Sequence, residues 1–280
     1  RLAEGVAVEG TGNASANLMV GNSVNNTLIG GGAADTLEGG DGDDFLSGGI
    51  GGDTLRGGNG SDVYIVDNAG DLVDESTGSG TADEVRSSVA FTLATGVEIL
   101  RLQGVAILGI GNTGDNSLIG NGSGNQLSGD NGADKLYGYS GADTLHGGQG
   151  ADSLYGGGAA DHLYGDAGRD VLKGELGNDV FWFDDADYAG ITNATADRIV
   201  DFNQGSDRID LSLTDAVAGG ADNAFSFIGT AAFSNVAGQL RYEQALGVTL
   251  ILGDTNGDGT ADIGIALTGT INLLATDFVL

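Results

Sequence analysis

The chain contains no cysteine and no proline, only two histidines, few aromatic residues (6% of 280), and 10 basic side chains against 40 acidic ones. Each shortage narrows the reading. Without cysteine there are no disulfides, and an extracellular chain with a thin core needs another staple, such as metal ions. A formal net charge of -30 argues against nucleic acid or an anionic membrane as a direct partner and favours cations. No apolar run approaches the roughly 18 residues of a membrane-spanning helix, so no membrane span is expected, and no amino-terminal signal peptide is visible. Arg1 is not a natural start, and the chain is expected to be a fragment or a processed product.

Glycine, by contrast, supplies 54 residues. It loses more conformational freedom on folding than any other residue, so a chain this rich in it should resist folding alone. Yet the glycines keep a nine-residue beat, G-G-x-G-x-D-x-L-x. A first array of six units runs from Gly12 to Ile65, and a second of eight units runs from Gly111 to Trp182. The sixth position holds Asp35, Asp44, Asp53 and Asp62 in the first array, and Asp134, Asp143, Asp152, Asp161, Asp170 and Asp179 in the second. The two opening units of each array carry Asn17, Asn26, Asn116 and Asn125 there instead. The eighth position is leucine or methionine except at Tyr64 and Phe181, which close the arrays. A flexible linker does not require an apolar residue locked to one phase.

One apolar residue in nine cannot make a helical stripe. It can make a three-residue strand with its middle side chain inward, followed by a glycine-rich turn. Two units then form one coil, coils stack at the sheet spacing of about 4.8 Å, and turns 18 residues apart lie over each other. Asp134, Asp152 and Asp170 should share one edge, and Asp143, Asp161 and Asp179 the other. Carboxylates held this close call for a cation, and glycine turns can aim main-chain carbonyls at the same gap. Calcium, with six to eight oxygen ligands at about 2.3 to 2.6 Å, fits better than magnesium, which keeps strict octahedral geometry and its own water. No thiolate or paired-histidine spacing suits zinc.

This nonapeptide resembles the RTX (hemolysin-type) calcium-binding repeat family of secreted proteins. The resemblance implies an all-β fold, a right-handed parallel β-roll in two arrays. It also implies about six strong calcium sites where aspartates stand 18 residues apart, from Asp35 with Asp53 to Asp161 with Asp179. The asparagine units depart from the pattern. They are expected to be metal-free or weakly loaded, with Asn116→Ala nearly silent, and Asp179 is expected to end its row.

Four regions are expected: residues 1–65, a β-rich insert at 66–110 that continues the solenoid with wider coils, the main array at 111–182, and 183–280. In the last region DRIVDF, DRIDLS, AFSFIG, QLRYEQ, VTLILGD and IGIALTG read as strands of a carboxy-terminal antiparallel cap. The segment ADRIVDFNQGSDRIDLS resembles the carboxy-terminal domain of serralysin-type secreted proteins, and TDFVL looks like the signal read by type I export machinery. The turn DTNGDGTAD spaces Asp254, Asn256, Asp258 and Asp262 like the first ligands of an EF-hand, with Ile265 where the bidentate glutamate would stand.

Catalytic motifs are missing. Neither His146 nor His162 fits H-E-x-x-H, and there is no G-x-S-x-G elbow. Two outward ladders, Tyr137 and Tyr155 with Lys173, and His146, Tyr164 and Trp182, could contact a cell-surface polysaccharide, though such rows more often pack along the sheet. The expectation is a non-enzymatic, calcium-folding export module of a secreted bacterial protein. Its rivals are a surface-layer or adhesin segment that self-associates, and the tail of a secreted hydrolase.

Overall fold

The computed structural model describes residues 1–3, 8–76, 78–217 and 223–280. Its strands fall into two compact units, Arg1–Leu127 and Ser128–Leu280, so the boundary lies inside the second repeat array. Among the described residues there is no α-helix, and a 3-10 turn at Ala275–Asp277 is the one helical element.

The first unit is a parallel solenoid. Strands Thr27–Gly32, Phe45–Ile50, Val63–Val66, Glu84–Ser87, Ile99–Leu102 and Ser117–Ile119 follow one another in one sheet. Leu18–Val20, Thr36–Asp41, Thr54–Asn59 and Leu72–Val73 form another. The register is the coil length: Leu28 pairs with Leu46 and Leu37 with Leu55. Most strands in the aspartate units run to six residues rather than three. The glycines after the leucine continue the ladder, Gly31 with Gly49 for example, because they can hold the positive φ that this path requires. In the insert the coil lengthens and then shortens. Asp62 meets Asp83 at a separation of 21, and Asp83 meets Glu98 at a separation of 15.

In the second unit Lys135–Ser140, Ser153–Gly158 and Val171–Leu176 form one wall, while Thr144–Gly150, His162–Gly168 and Val180–Asp184 form another. The region after the repeats is a mixed cap. Gln239–Ala245 and Ile263–Thr268 each pair antiparallel with Val248–Asp254 between them. Asp197–Ile199, all that forms from DRIVDF, and Arg208–Leu213 stay parallel because they are the next coil, pairing with Leu172 and Phe181. AFSFIG contributes only Ser226–Phe227, and TDFVL forms Phe278–Val279 beside Arg208–Leu213.

The core of each unit is a narrow file of single side chains. Leu28, Leu37, Leu46, Leu55 and Tyr64 in the first unit, and Leu136, Leu145, Leu154, Leu163, Leu172 and Phe181 in the second, have no exposed surface. With one such residue in each unit of nine, no neighbour can move in to fill a gap. Leu154→Ala should therefore cost about 2 to 5 kcal/mol in the calcium-loaded protein, read from denaturant midpoints. A cost under ~1 kcal/mol would mean that the file is not the core.

Candidate metal sites

Each aspartate turn is built around missing side chains. At its first position a Cβ on Gly30 would lie 2.3 Å from Asp35 Oδ2 and 2.6 Å from the Gly48 carbonyl oxygen, one coil on. At Gly156 the same distances, to Asp161 Oδ2 and the Gly174 carbonyl, are 2.5 and 2.9 Å. A carboxylate oxygen and a carbonyl of the next coil thus converge on a space that any side chain would fill. At the second position the backbone is left-handed: Gly157 has φ +114, and a Cβ there would come within 2.0 Å of the Tyr139 carbonyl.

The two oxygens of each aspartate have different fates. Oδ1 accepts the backbone N–H of the aspartate 18 residues earlier: Asp53 from Asp35, Asp62 from Asp44 and Asp152 from Asp134, each at 2.7 Å, and Asp161 from Asp143 at 2.8 Å. Asp170 accepts from Asp152 at 2.8 Å and Asp179 from Asp161 at 3.0 Å. Oδ2 of Asp35, Asp44, Asp53, Asp62, Asp161, Asp170 and Asp179 is buried and has no hydrogen-bond partner. Asp134, Asp143 and Asp152 are equally buried. A buried, unanswered carboxylate oxygen is costly, so these rows demand a cation or a proton.

Burial is the main reason that these carboxyls titrate high. It pushes Asp44 and Asp161 up to about 7, Asp170 to about 8 and Asp179 to about 6, with the backbone N–H bond opposing it and neighbouring aspartates adding to it. Mutual repulsion, which the stacking suggested as the driving force, ranks below desolvation.

Among the described residues no three acidic or histidine side chains converge on a point. Each candidate site instead offers carboxylate oxygen and main-chain carbonyls, an all-oxygen donor set suited to a hard divalent ion of the calcium class.

The asparagine turns close the same space differently. Asn17 and Asn26 place Oδ1 where the aspartate turns have Oδ2, and it accepts the N–H of Asn13 (2.9 Å) and Asn22 (2.8 Å). Asn116 and Asn125 likewise accept from Asn112 and Asn121. Their Nδ2 groups donate to carbonyls of the preceding coil, Asn116 to Val97 and Asn125 to Ala106. Asn116→Ala, expected to be nearly silent for calcium, would remove this buried clamp and should lower stability.

Four aspartates that the nonapeptide beat does not include extend the rows. Asp71 accepts from Asp53 and Asp83 from Asp62; Asp197 accepts from Asp170 and Asp207 from Asp179. Asp179 is thus not the end of its row. The local signal was aspartate two residues before a buried apolar residue, Asp83 with Val85 and Asp197 with Ile199, without the glycines.

The Asp254–Asp262 turn is bound up internally. Asp254 accepts from Gly257 (2.6 Å) and Gly259 (2.9 Å), and Asp262 accepts from Thr255 (2.7 Å) and Asn256 (3.2 Å). Asp258 accepts from Thr260 at 2.8 Å. The outward ladders are plates in a stack: Tyr137 on Tyr155 at 4.9 Å, His146 on Tyr164 at 4.2 Å, and Tyr164 on Trp182 at 5.5 Å. Their faces largely cover one another instead of lying open to a sugar. His162 Nδ1 accepts the Trp182 indole N–H, His146 Nδ1 lies 3.2 Å from Asp166, and Lys173 pairs with Glu175.

Parallel coils of 18 residues joined by oxygen-lined turns define a β-solenoid with candidate metal sites at its turns. The model of the RTX calcium-binding nonapeptide repeat matches in eight overlapping placements: 11–46, 20–55, 29–64, 38–72, 110–145, 119–154, 137–172 and 155–187. Together these span half of the chain, which belongs to that family. No curated protein matches the chain. Among solved structures it is similar to the AlgE6R3 subunit of the Azotobacter vinelandii mannuronan C5-epimerase, with 25% identity over 59% of this chain and 78% of that one, at a TM-score of 0.33. The AlgE6R2 subunit of the same enzyme gives 24% identity over 61% and 91%, at 0.36. The extracellular lipase LipA of Serratia marcescens gives 18% identity over 95% of this chain and 40% of that one, at 0.27.

The raised carboxyls set a pH dependence. A folded, metal-free roll binds protons that the unfolded chain releases near 3.8, so its stability is lost as pH rises through about 6 to about 8. Calcium must displace those protons. In chelator the folded fraction should fall between about pH 5 and 8, whereas apparent calcium affinity should rise over the same interval. Calorimetric titrations showing pH-independent affinity would contradict the buried-carboxylate site.

Proposed function

We propose that this chain is the calcium-folded module of a secreted bacterial protein, that it has no catalytic activity of its own, and that it reaches the exterior through a type I exporter. The observation that carries the reading is the row of buried Oδ2 atoms without hydrogen-bond partners, from Asp35 to Asp62 and from Asp161 to Asp179. Such a fold suits calcium-rich surroundings. At low calcium the ionised carboxylates oppose the stack, and the chain stays extended enough for a narrow channel. At high external calcium, ions that bind only the folded form draw the equilibrium toward it.

The sites are the repeat aspartates Asp35, Asp44, Asp53, Asp62, Asp134, Asp143, Asp152, Asp161, Asp170 and Asp179, forming about six strong positions between turns. The Asp254–Asp262 turn is satisfied by its own donors, and we leave it out of the folding switch. TDFVL would be read before folding, since Asp277 and Phe278 are buried and Asp277 accepts from Leu274 and Gln204 once the cap forms.

Circular dichroism of the full chain tests this directly. In excess chelator at neutral pH the strand signal should be small, and millimolar calcium should restore it cooperatively. A full strand spectrum in chelator would refute calcium-coupled folding.

A further inference from the structure

The irregular stretch after the first array carries a feature that neither the repeats nor the family match covers. Asp83 has no exposed surface. Its Oδ1 accepts the Asp62 N–H at 2.7 Å, and its own N–H donates to Glu98 Oε2 at 2.9 Å. Its Oδ2 is buried without a partner. A Cβ on Gly80 would fall 2.2 Å from that Oδ2 and 2.3 Å from the Gly60 carbonyl oxygen. As in the repeat turns, a carboxylate oxygen and a carbonyl close on one glycine, but here the glycine stands three residues before the aspartate and the carbonyl belongs to the preceding coil.

A second carboxylate reinforces it. Glu75 stands 18 residues after Gly57, where an aspartate unit would place its first glycine, and it is 7% exposed. Its Oε1 accepts the Gly57 N–H at 3.3 Å. Its Oε2 and the Gly58 carbonyl share the space at Gly78, where a Cβ would lie 2.1 and 2.3 Å from them. Three buried carboxyls therefore lie in adjoining turns, Glu75 against the Gly58 carbonyl, Asp83 against the Gly60 carbonyl and Asp62 against Gly57. The cationic side chains of this stretch are engaged elsewhere, Arg56 with Glu38 and Asp74, and Arg86 and Arg101 with Glu84.

We propose that Asp83 Oδ2 and the Gly60 carbonyl hold a divalent cation of the calcium class outside the nonapeptides, with Asp62 and Glu75 supplying additional negative charge around it. The proposal rests on the calcium reading above. No three carboxylates meet at one point among the described residues, so the ion takes its remaining ligands from main-chain oxygen and water. A surface cleft of about 390 Å³, lined in part by Gly80, Thr81, Gly96 and Glu98, opens this part of the coil to solvent. Such an ion would order the 21-residue coil, which lacks the glycine beat, by the same device that orders the repeats.

Calcium bound by the full chain, counted by equilibrium dialysis and atomic emission, provides the test. Asp83→Asn keeps an acceptor for the Asp62 N–H and removes the charge, and it should lose one ion per chain relative to the parent. Asp161→Asn, a repeat position, serves as the control. Loss of an ion in Asp161→Asn with none lost in Asp83→Asn would overturn this site and leave the calcium roll standing. A parent chain that binds no calcium would overturn both. Should Asp83→Asn fail to fold, calcium anomalous scattering from crystals of the parent decides. A peak within bonding distance of Asp83 Oδ2 and the Gly60 carbonyl supports the site, and peaks confined to the repeats overturn it.

Discussion

The structure depends on one asymmetric carboxylate. Each repeat aspartate gives Oδ1 to the main chain of the coil before it, which sets the stacking register without an ion. It then buries Oδ2, and at Asp35, Asp44, Asp134, Asp143, Asp152 and Asp161 a carbonyl of the next coil points into the same space. The first interaction makes the solenoid geometrically possible, and the second makes it energetically incomplete. An amide-to-carboxylate bond contributes about 1.5 to 3 kcal/mol, whereas burying an uncompensated charge costs several. The same side chain that aligns two coils therefore also holds them apart until something positive arrives.

The core is too thin to change that outcome. Each nonapeptide buries one core side chain against the conformational ordering of nine residues. Ladder hydrogen bonds narrow the gap, but every aspartate turn also carries the desolvation of its carboxyl. This explains why leucine at position eight and aspartate at position six recur together: the file of leucines fixes the interior, and the ions offset what the turns cost. Glycine at position one belongs to the same scheme, since a Cβ on Gly30 or Gly156 would clash with the aspartate Oδ2 and the carbonyl of the next coil.

Much of this was legible because the repeat writes its geometry in phase. A period of nine with one apolar residue gave the coil, its pairing at 18 residues and the two edges on which Asp152 and Asp161 lie. Less visible were Asp83 and Asp197, which perform the same backbone task after coils of other lengths. Once insertions break the period, only the aspartate two places before a buried apolar residue survives as a signal. The cap was legible as strands but not as directions. Asp197–Ile199 and Arg208–Leu213 run parallel because they are one more coil, a fact of tertiary order that local alternation does not encode. The dominance of burial over mutual repulsion at Asp44 and Asp170 likewise required knowing how dry the turns are.

The asparagine turns show how a turn can close on itself. In G-N-x-x-x-N the second residue stays out of the left-handed region, and its N–H reaches the amide oxygen of the sixth, Asn112 to Asn116 at 2.6 Å. In the aspartate units the second residue is left-handed, whether glycine as at Gly157 or a strained Glu175, and Oδ2 of Asp161 and Asp179 goes unanswered. Asp71 and Asp207 confirm that charge alone is not the criterion. Each is a carboxylate, yet each accepts the N–H of the residue four before it, Asp67 at 3.1 Å and Asn203 at 2.8 Å, and neither oxygen is orphaned. Within the repeat turns, whether that oxygen is answered thus follows the φ of one residue, whereas Asp83 and Asp197 leave theirs open without a left-handed residue in the turn.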